Sequence, residues 1–548
     1  MRQRTRLSNI KCPDNRRMPA PTPPPTILLC TLNAKYIHAS LGLRYLLANM
    51  ARHGSESLAQ STLLVEYTLA RKTQEMADDL FEKLGPAQPH TLQVIGFGVY
   101  IWNITQTTAL VRVLKSQRPE LKIVLGGPEV SHETETQEIV KLADHVITGW
   151  GDVSFPKLCL ALFNGPKPLM KMIQGEQPPM DHIEFPYRHF TDADLAHRVL
   201  YVEASRGCPF KCEFCLSSLD KTAWAFDIEP FLKEISTLYQ RGARNFKFVD
   251  RTFNLKIEAS AQILQFFLDR LLEGNAQGLL VHFEVIPDHL PDRLKTLIAQ
   301  FPPGVLQFEV GIQSFDEEVQ KLISRRQDNV KSEENLRWLL THSNAHLHTD
   351  LIFGLPGETL ESFAQSFDRL LAIGPQEIQL GILKRLKGTP IDRHTANYQM
   401  VYDAAPPYVV LQTKDINVDT LQMFTRLAKY WDLVANSGRF KQSLPLILAP
   451  IVPDHSAFRS MVHFSEALWQ MTGKTYGMTP EELVDAVFDY LIHARGLTVE
   501  WVRSVLLQDY LASGARARPK CLANERLPLG GDPGAGLSAL RERQDRHV

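Results

Sequence analysis

The apolar residues of this chain fall into two kinds of run. Short unbroken runs at 26–31, 62–67, 92–97, 122–126 and 145–148 alternate with longer stretches, at 41–52, 68–84 and 105–116, whose apolar positions follow helical spacing. The first kind reads as buried strand and the second as amphipathic helix. Strands apolar on both faces, separated by helices, build a parallel sheet covered on both sides. Residues 26–165 are therefore expected to form a doubly wound, flavodoxin-like (Rossmann-like) domain of five βα units. Its ligands should lie beyond the carboxyl ends of the strands.

The alternation resumes after a Pro-rich connector at 166–197, which reads as an extended linker. Strand-like runs at 198–203, 245–249, 280–285, 305–310, 346–352 and 377–381 frame helical stretches such as 228–240, 259–272 and 360–373. Six consecutive βα units over 198–395 predict a partial (βα)6 TIM barrel, open on one side, with its chemistry at the carboxyl ends of the strands. Helical periodicity dominates over 396–513, at 420–435, 458–471, 480–495 and 499–511. A mainly α-helical C-terminal domain that closes the barrel is expected there. Residues 1–25, basic and then Pro-rich, and residues 514–548, rich in Gly, Pro and Arg, are expected to be a disordered extension and tail.

Composition narrows the classes of partner. At 548 residues the chain exceeds one ordinary core. Its 61 acidic and 60 basic residues leave no net field to draw nucleic acid or a membrane surface. No apolar run reaches membrane-span length, so neither partner is expected. Cys12, Cys30, Cys159 and Cys521 are scattered, and with no secretory signal they fit a reducing, cytoplasmic setting.

The other three cysteines carry chemistry. In Glu203-Ala-Ser-Arg-Gly-Cys-Pro-Phe-Lys-Cys-Glu-Phe-Cys215 the spacing is Cys208-x3-Cys212-x2-Cys215, on the loop after the first barrel strand. Soft sulfur donors suit iron–sulfur clusters and zinc. Three thiolates can hold three irons of a 4Fe–4S cluster and leave the fourth iron open to a substrate. The alternative is a zinc-stabilised binding protein, but structural zinc closes with four ligands. Neither a second C-x-x-C pair nor a His at finger-like spacing follows.

With Arg206-Gly207 before it and Phe214 ahead of the third cysteine, this loop resembles the CxxxCxφC motif of the radical S-adenosylmethionine (radical SAM) superfamily, φ being aromatic. The resemblance implies Cys208, Cys212 and Cys215 as cluster ligands, SAM on the open iron, and Phe214 near the adenine. Asp250, ending the second barrel strand, would bind the SAM amino group, although the family's usual Gly-Gly-Glu is absent. Glu309-x-Gly-x-Gln313-Ser314 resembles the E-x-G-x-Q-S signature, which places Glu309 and Gln313 around the ribose and substrate. Asp350-Leu-Ile-Phe-Gly-Leu-Pro-Gly-Glu-Thr359 matches D-x-x-x-G-x-P-G-E-T at the adenine side, with Gly354 and Gly357 allowing close backbone approach.

The first domain resembles the cobalamin-binding domain that precedes many radical SAM cores. Asn33-Ala-Lys-Tyr-Ile-His-Ala-Ser40, Gly126-Gly-Pro-Glu129 and Gly149-x-Gly-Asp-x-Ser-Phe155 carry this likeness. They imply cobalamin contacts from Asn33, Tyr36, Gly126, Gly127 and Gly149. A D-x-H-x-x-G motif is missing from this domain, so no His is expected beneath cobalt. The competing reading is a Rossmann-like domain that only docks substrate or partner. Asn436-Ser-Gly-Arg-Phe440 resembles a segment of one group of cobalamin-type radical SAM proteins whose C-terminal domain has no assigned role.

The function implied is an enzyme that cleaves SAM reductively to methionine and a 5′-deoxyadenosyl radical, then methylates carbon in a small molecule or biosynthetic intermediate. An electron donor such as flavodoxin or ferredoxin would serve it. One rival is radical SAM oxidation or rearrangement without methyl transfer. Another is methylthio transfer, but those enzymes carry a second cysteine triad in the N-terminal domain, where this chain has only Cys30 and Cys159.

Overall fold

The computed structural model describes residues 25–87, 91–166, 168–274, 276–451, 456–513 and 518–525. The expected N-terminal extension and most of the expected tail lie outside these residues. Within the tail segment, residues 518–525 fold into a turn that buries Leu522 and donates two hydrogen bonds, from the Lys520 and Cys521 N–H groups, to the Asp485 carboxylate, so that part packs rather than trails.

The first domain is a six-stranded parallel sheet of order β2-β1-β3-β4-β5-β6. Its strands are β1 (Ile27–Asn33), β2 (Thr62–Thr68), β3 (Val94–Gly98), β4 (Lys122–Gly126), β5 (His145–Thr148) and β6 (Met172–Gln174). Helices α1 (Leu41–His53), α2 (Thr73–Leu84), α3 (Ile104–Gln117) and α4 (Ser154–Asn164) cover it. Separate apolar clusters lie on the two faces, as continuous apolar strands require. Five strands were expected; the sixth comes from the Pro-rich connector. Three residues are too few to show periodicity, and β6 exists only because β5 offers it an edge.

The second domain is an open six-stranded parallel sheet, β12-β11-β10-β9-β8-β7. It comprises β7 (Leu200–Val202), β8 (Asn245–Phe248), β9 (Leu280–Val285), β10 (Leu306–Gln313), β11 (His346–Phe353) and β12 (Glu377–Ile382). The helices are α5 (Ile228–Gln240), α6 (Ile257–Leu272), α7 (Asp292–Ile298), α8 (Glu317–Leu322), α9 (Asn329–His342) and α10 (Leu360–Ile373). Thr359 starts α10 with a capping box to Ser362.

Both open edges are covered. At β7, His38 of the first domain makes a parallel bridge to Val199. At β12, helix α11 (Val418–Val434) and the residues after it satisfy the strand: the Trp431 indole donates to the Ile378 carbonyl at 2.7 Å, and the Asn436 amide bonds both the N–H and the C=O of Ile378 at 3.0 and 2.9 Å. Helices α12 (Ala457–Thr472), α13 (Pro480–Asp489) and α14 (Val499–Ala512) complete the C-terminal region, and one apolar core runs through it and the barrel. Edge strands left bare invite association; here the chain's own outer domains cap them. No helix among the described residues is long and apolar enough to cross a membrane.

Candidate functional site

The loop after β7 brings Cys208, Cys212 and Cys215 to the wall of one cavity of about 250 Å³ at the carboxyl ends of the barrel strands. Burial pushes the Cys208 thiol up to about 11, and the neighbouring Cys215 and Cys212 sulfurs push the same way. Burial also raises Cys212, opposed by the Arg325 guanidinium, whose Nη1 donates to its Sγ at 3.7 Å. Thiols so raised need a cationic centre before they ionise. Among the described residues no three His, Cys, Asp or Glu side chains converge on one point closely enough to hold a single ion. A structural zinc site closes with four such ligands, whereas a cubane takes one thiolate per iron. The donor set fits the cluster.

Three expected residues, Phe214, Glu309 and Gln313, line this cavity, and Asp350 lines it as well. Phe214, Gln313 and Asp350 stand where it meets a second cavity, also about 250 Å³, that runs along β12 to Leu383. Glu309 faces the barrel lumen and pairs with Lys247 at 3.2 Å and His282 at 3.0 Å. Burial alone would raise this carboxyl, but the His282 hydrogen bond and the Lys247 charge hold it well below the usual carboxylate range. Asp350 goes the other way, pushed up by burial and by the charges of Glu309 and Glu284. The two lumen carboxyls are so shifted in opposite directions. Gln313 sits at φ +69°, and its buried amide oxygen accepts no hydrogen bond. The side chain folds over Gly311, where a Cβ would come within 2.5 Å of its Nε2.

Three expected residues stand elsewhere. Asp250 is turned from the cavity: one oxygen accepts from the Ala204 N–H at 3.0 Å, the other from the Ser205 hydroxyl at 2.6 Å, and burial pushes its carboxyl up to about 7. The next residues, Arg251 and Thr252, line the cavity instead. Gly354 and Gly357, at φ +89° and +77°, do permit close approach, but of protein: a Cβ would meet Val410 at 2.6 Å and Leu322 at 2.7 Å. The turn they form is closed by the buried Glu358 carboxyl, which accepts from the Gly354 N–H at 2.8 Å.

In the first domain, Gly126, Gly127 and Gly149 line a cavity of about 320 Å³ between α1 and the carboxyl ends of the strands. Gly42, Gly96, Gly98 and Gly151 line it as well. Gly127, at φ +109°, has no room for a Cβ, which would fall 2.4 Å from the Val99 carbonyl; Gly149, at φ +75°, opens onto free space. A slot walled by glycines at the switch point between β1 and β3 fits a large cofactor. Asn33 lines a third cavity, about 510 Å³, between this domain and the barrel, and its amide ties Glu66 to the His38 carbonyl. Tyr36 borders none of these cavities; its ring is 55 % exposed, with the Arg198 guanidinium over it.

Two arginines that sequence reasoning left without a role join the parts. Arg206 bonds Asp152 of the first domain at 2.8 Å and Glu203 at 2.6 Å, stacked against Tyr45 and Trp150. Arg251, held by both oxygens of Glu284, lines the cysteine cavity and the interdomain cavity alike. A flank of the cysteine motif signalled Arg206; nothing local signalled Arg251.

A doubly wound domain with a glycine slot, set against a barrel whose first loop carries three cysteines, defines a two-cofactor architecture. Family models agree: the B12 binding domain matches residues 27–159 and the radical SAM superfamily matches 202–370. Residues 202–370 thus carry a radical SAM domain, with a B12-binding domain ahead of it at 27–159. The radical SAM domain implies a 4Fe–4S cluster and SAM, and the first domain implies cobalamin. Residues 396–530 match a family of unknown function, DUF4080.

Among curated proteins, the cobalamin-dependent radical SAM methyltransferase TokK of Streptomyces tokunonensis is 25 % identical over 58 % of this chain and 49 % of its own length. Among solved structures, the cobalamin-dependent S-adenosylmethionine radical enzyme OxsB aligns with TM-score 0.56 at 12 % identity, over 89 % of this chain and 83 % of that one. The radical S-adenosylmethionine methyltransferase TsrM of Kitasatospora setae aligns with TM-score 0.54 at 14 % identity, over 70 % and 79 %. The chain spans about half the length of the curated relatives it matches.

Proposed function

We propose that this chain is a cobalamin-dependent radical SAM enzyme that cleaves SAM reductively and methylates carbon in a small-molecule substrate. One observation carries the reading: Arg251 walls both the cysteine cavity and the cavity facing the glycine-lined domain. A substrate at that partition would lie between the cysteine cavity and the first domain. When bound, the cluster supplies the electron for SAM cleavage and cobalamin carries the methyl group.

The chain's own residues bind and orient. Cys208, Cys212 and Cys215 would hold the cluster, and Phe214 with Gln313 would flank the SAM nucleoside. Asp350, its carboxyl pushed up by burial, stands in the same wall, and Glu309 holds Lys247 and His282 by ion pair and hydrogen bond. Gly126, Gly127, Gly149 and Asn33 would line the cobalamin site. Asp250, Gly354, Gly357 and Tyr36 take no ligand in this reading. Methyltransferase names among the relatives support methyl transfer. A flavodoxin- or ferredoxin-like electron donor and a reducing cytoplasm are part of the proposal.

The test is anaerobic reconstitution of the full chain with iron, sulfide and hydroxocobalamin, followed by optical spectra and a SAM-cleavage assay. C212A should lose 5′-deoxyadenosine formation. Persistent formation in that variant refutes the cluster assignment. Failure of the wild type to retain cobalamin refutes the methyl-transfer reading and leaves radical SAM oxidation or rearrangement.

A further inference from the structure

The residue after Cys212 is Glu213, a carboxylate that is 2 % exposed. Within an irregular loop it makes an unusual number of bonds. Its N–H donates to the Ile323 carbonyl and its own carbonyl accepts from the Ile391 N–H, both at 3.0 Å. One carboxylate oxygen accepts from the Ser324 hydroxyl and from Arg393; the other accepts from His394 Nε2 at 2.9 Å. The cysteine loop is therefore nailed to the end of α8 and to the 390–394 turn.

What Glu213 holds is itself out of the ordinary. Ser324 stands at φ +54°, a left-handed conformation that a non-glycine residue keeps only when its surroundings enforce it. That conformation turns the chain directly into Arg325. The Arg325 guanidinium spans three partners: Nη1 donates to the Cys212 Sγ at 3.7 Å, Nη2 to the Gly311 carbonyl, and Nε to Gln327 at 3.0 Å. Glu213 thus closes a ring from one side of Cys212, through Ser324 and Arg325, back to its sulfur.

A fixed cationic donor on a ligating sulfur stabilises the more negative, reduced state of a cluster and raises its potential. We propose that Arg325 sets the reduction potential of the cluster through Cys212, and that Glu213 and Ser324 are positioning residues that hold Arg325 on the sulfur. The inference rests on the proposed cluster at the cysteine triad. The step concerned is one electron entering from an external reductant, with no bond made or broken.

The experiment uses the full chain, reconstituted anaerobically without SAM, as wild type, R325Q, S324G, E213Q and E213Q/R325Q. Iron and sulfide are assayed first, and the reduced fraction per bound cluster is then read by electron paramagnetic resonance in a dithionite-poised titration. R325Q should lower the reduced-to-oxidised ratio at fixed solution potential about tenfold, which is about 59 mV for one electron. S324G, a change its φ favours, should lower it about threefold without harming the fold, since the hydroxyl that meets Glu213 is gone. The double variant should match R325Q alone, because Glu213 acts through Arg325. A wild type with no iron and sulfide sinks the cluster reading itself. A loaded wild type with R325Q at the wild-type ratio overturns the potential-setting role alone, and S324G at the wild-type ratio, or additive effects in the double variant, overturns the positioning role.

Discussion

Glu129 belongs to the Gly-Gly-Pro-Glu string of the glycine-lined domain, yet its carboxylate leaves that domain. It accepts from Lys387 Nζ and from the Tyr408 hydroxyl, both at 2.6 Å, and so latches the domain to the chain beyond β12. The side chains of Glu129 and Lys387 are 4 % and 13 % exposed, so the pair is buried. Removing one partner of a buried pair costs about 3–5 kcal/mol, because the other charge is left without compensation. Glutamine keeps an acceptor oxygen for Tyr408 or Lys387, which puts E129Q near the low end, about 3 kcal/mol. Replacing both charges, as in E129M/K387M, should fall within about 1 kcal/mol of wild type. Native-state hydrogen exchange across 128–133 and 384–388 reads the opening of this latch. At tenfold per 1.4 kcal/mol, E129Q should speed exchange about 100-fold, and the double variant should not. Exchange in E129Q within threefold of wild type, or a double variant as fast as E129Q, would refute the reasoning.

The two glycines of the first domain should separate. G149A meets only the left-handed penalty of about 1–2 kcal/mol, whereas G127A adds contact with the Val99 carbonyl, so thermal melts should show a clearly larger drop for G127A; equal drops would count against the tight turn. Asp250 predicts a pH dependence. Its folded value of about 7 lies above the ordinary 3.8, so the native state holds a proton that the unfolded chain gives up. Its contribution to stability is complete below about pH 4, falls as pH rises toward 7, and amounts to about 4 kcal/mol at 1.4 per unit. D250N should flatten that part of a urea-midpoint profile, and an unchanged slope would show that Asp250 is ionised throughout. At the +69° φ of Gln313, Q313G should melt above Q313A by about 1–2 kcal/mol, since only alanine keeps the strain; equal melts would mean the backbone there relaxes.

Helices at 228–240 and 360–373 were legible to the residue, because each carries a long apolar stripe and a clear cap, Asp227 or Thr359, at its start. The strands were legible as well, since burial on both faces forces unbroken apolar runs. Strand β6 was not, being three residues held by pairing alone. The C-terminal region read as plain helix, but its junction with the barrel is made by Trp431 and Asn436 on one peptide unit of β12. A single polar residue after a helix gives no hint of which strand it will satisfy.

The site shows the same division in sharper form. The cysteine triad was readable because its spacing is itself the chemistry, and Phe214, Glu309 and Gln313 followed from the radical SAM resemblance; Glu309 and Gln313 also share one face of β10, as alternation along a strand requires. Asp250 broke that logic: it lies two residues past the end of β8, where alternation no longer holds, and the Ala204–Ser205 backbone and hydroxyl captured it. The glycines teach a more general point. A glycine at positive φ announces that something comes close to the backbone, and cannot say what. At Gly127 it is the Val99 carbonyl beside an open slot; at Gly354 and Gly357 it is Val410 and Leu322. The same backbone requirement, written in the same residue type, serves a cavity wall in one domain and a packed turn in the other. Only the positions of segments distant in sequence decide between them, so a motif glycine earns a ligand role from the space around it and not from its place in the string.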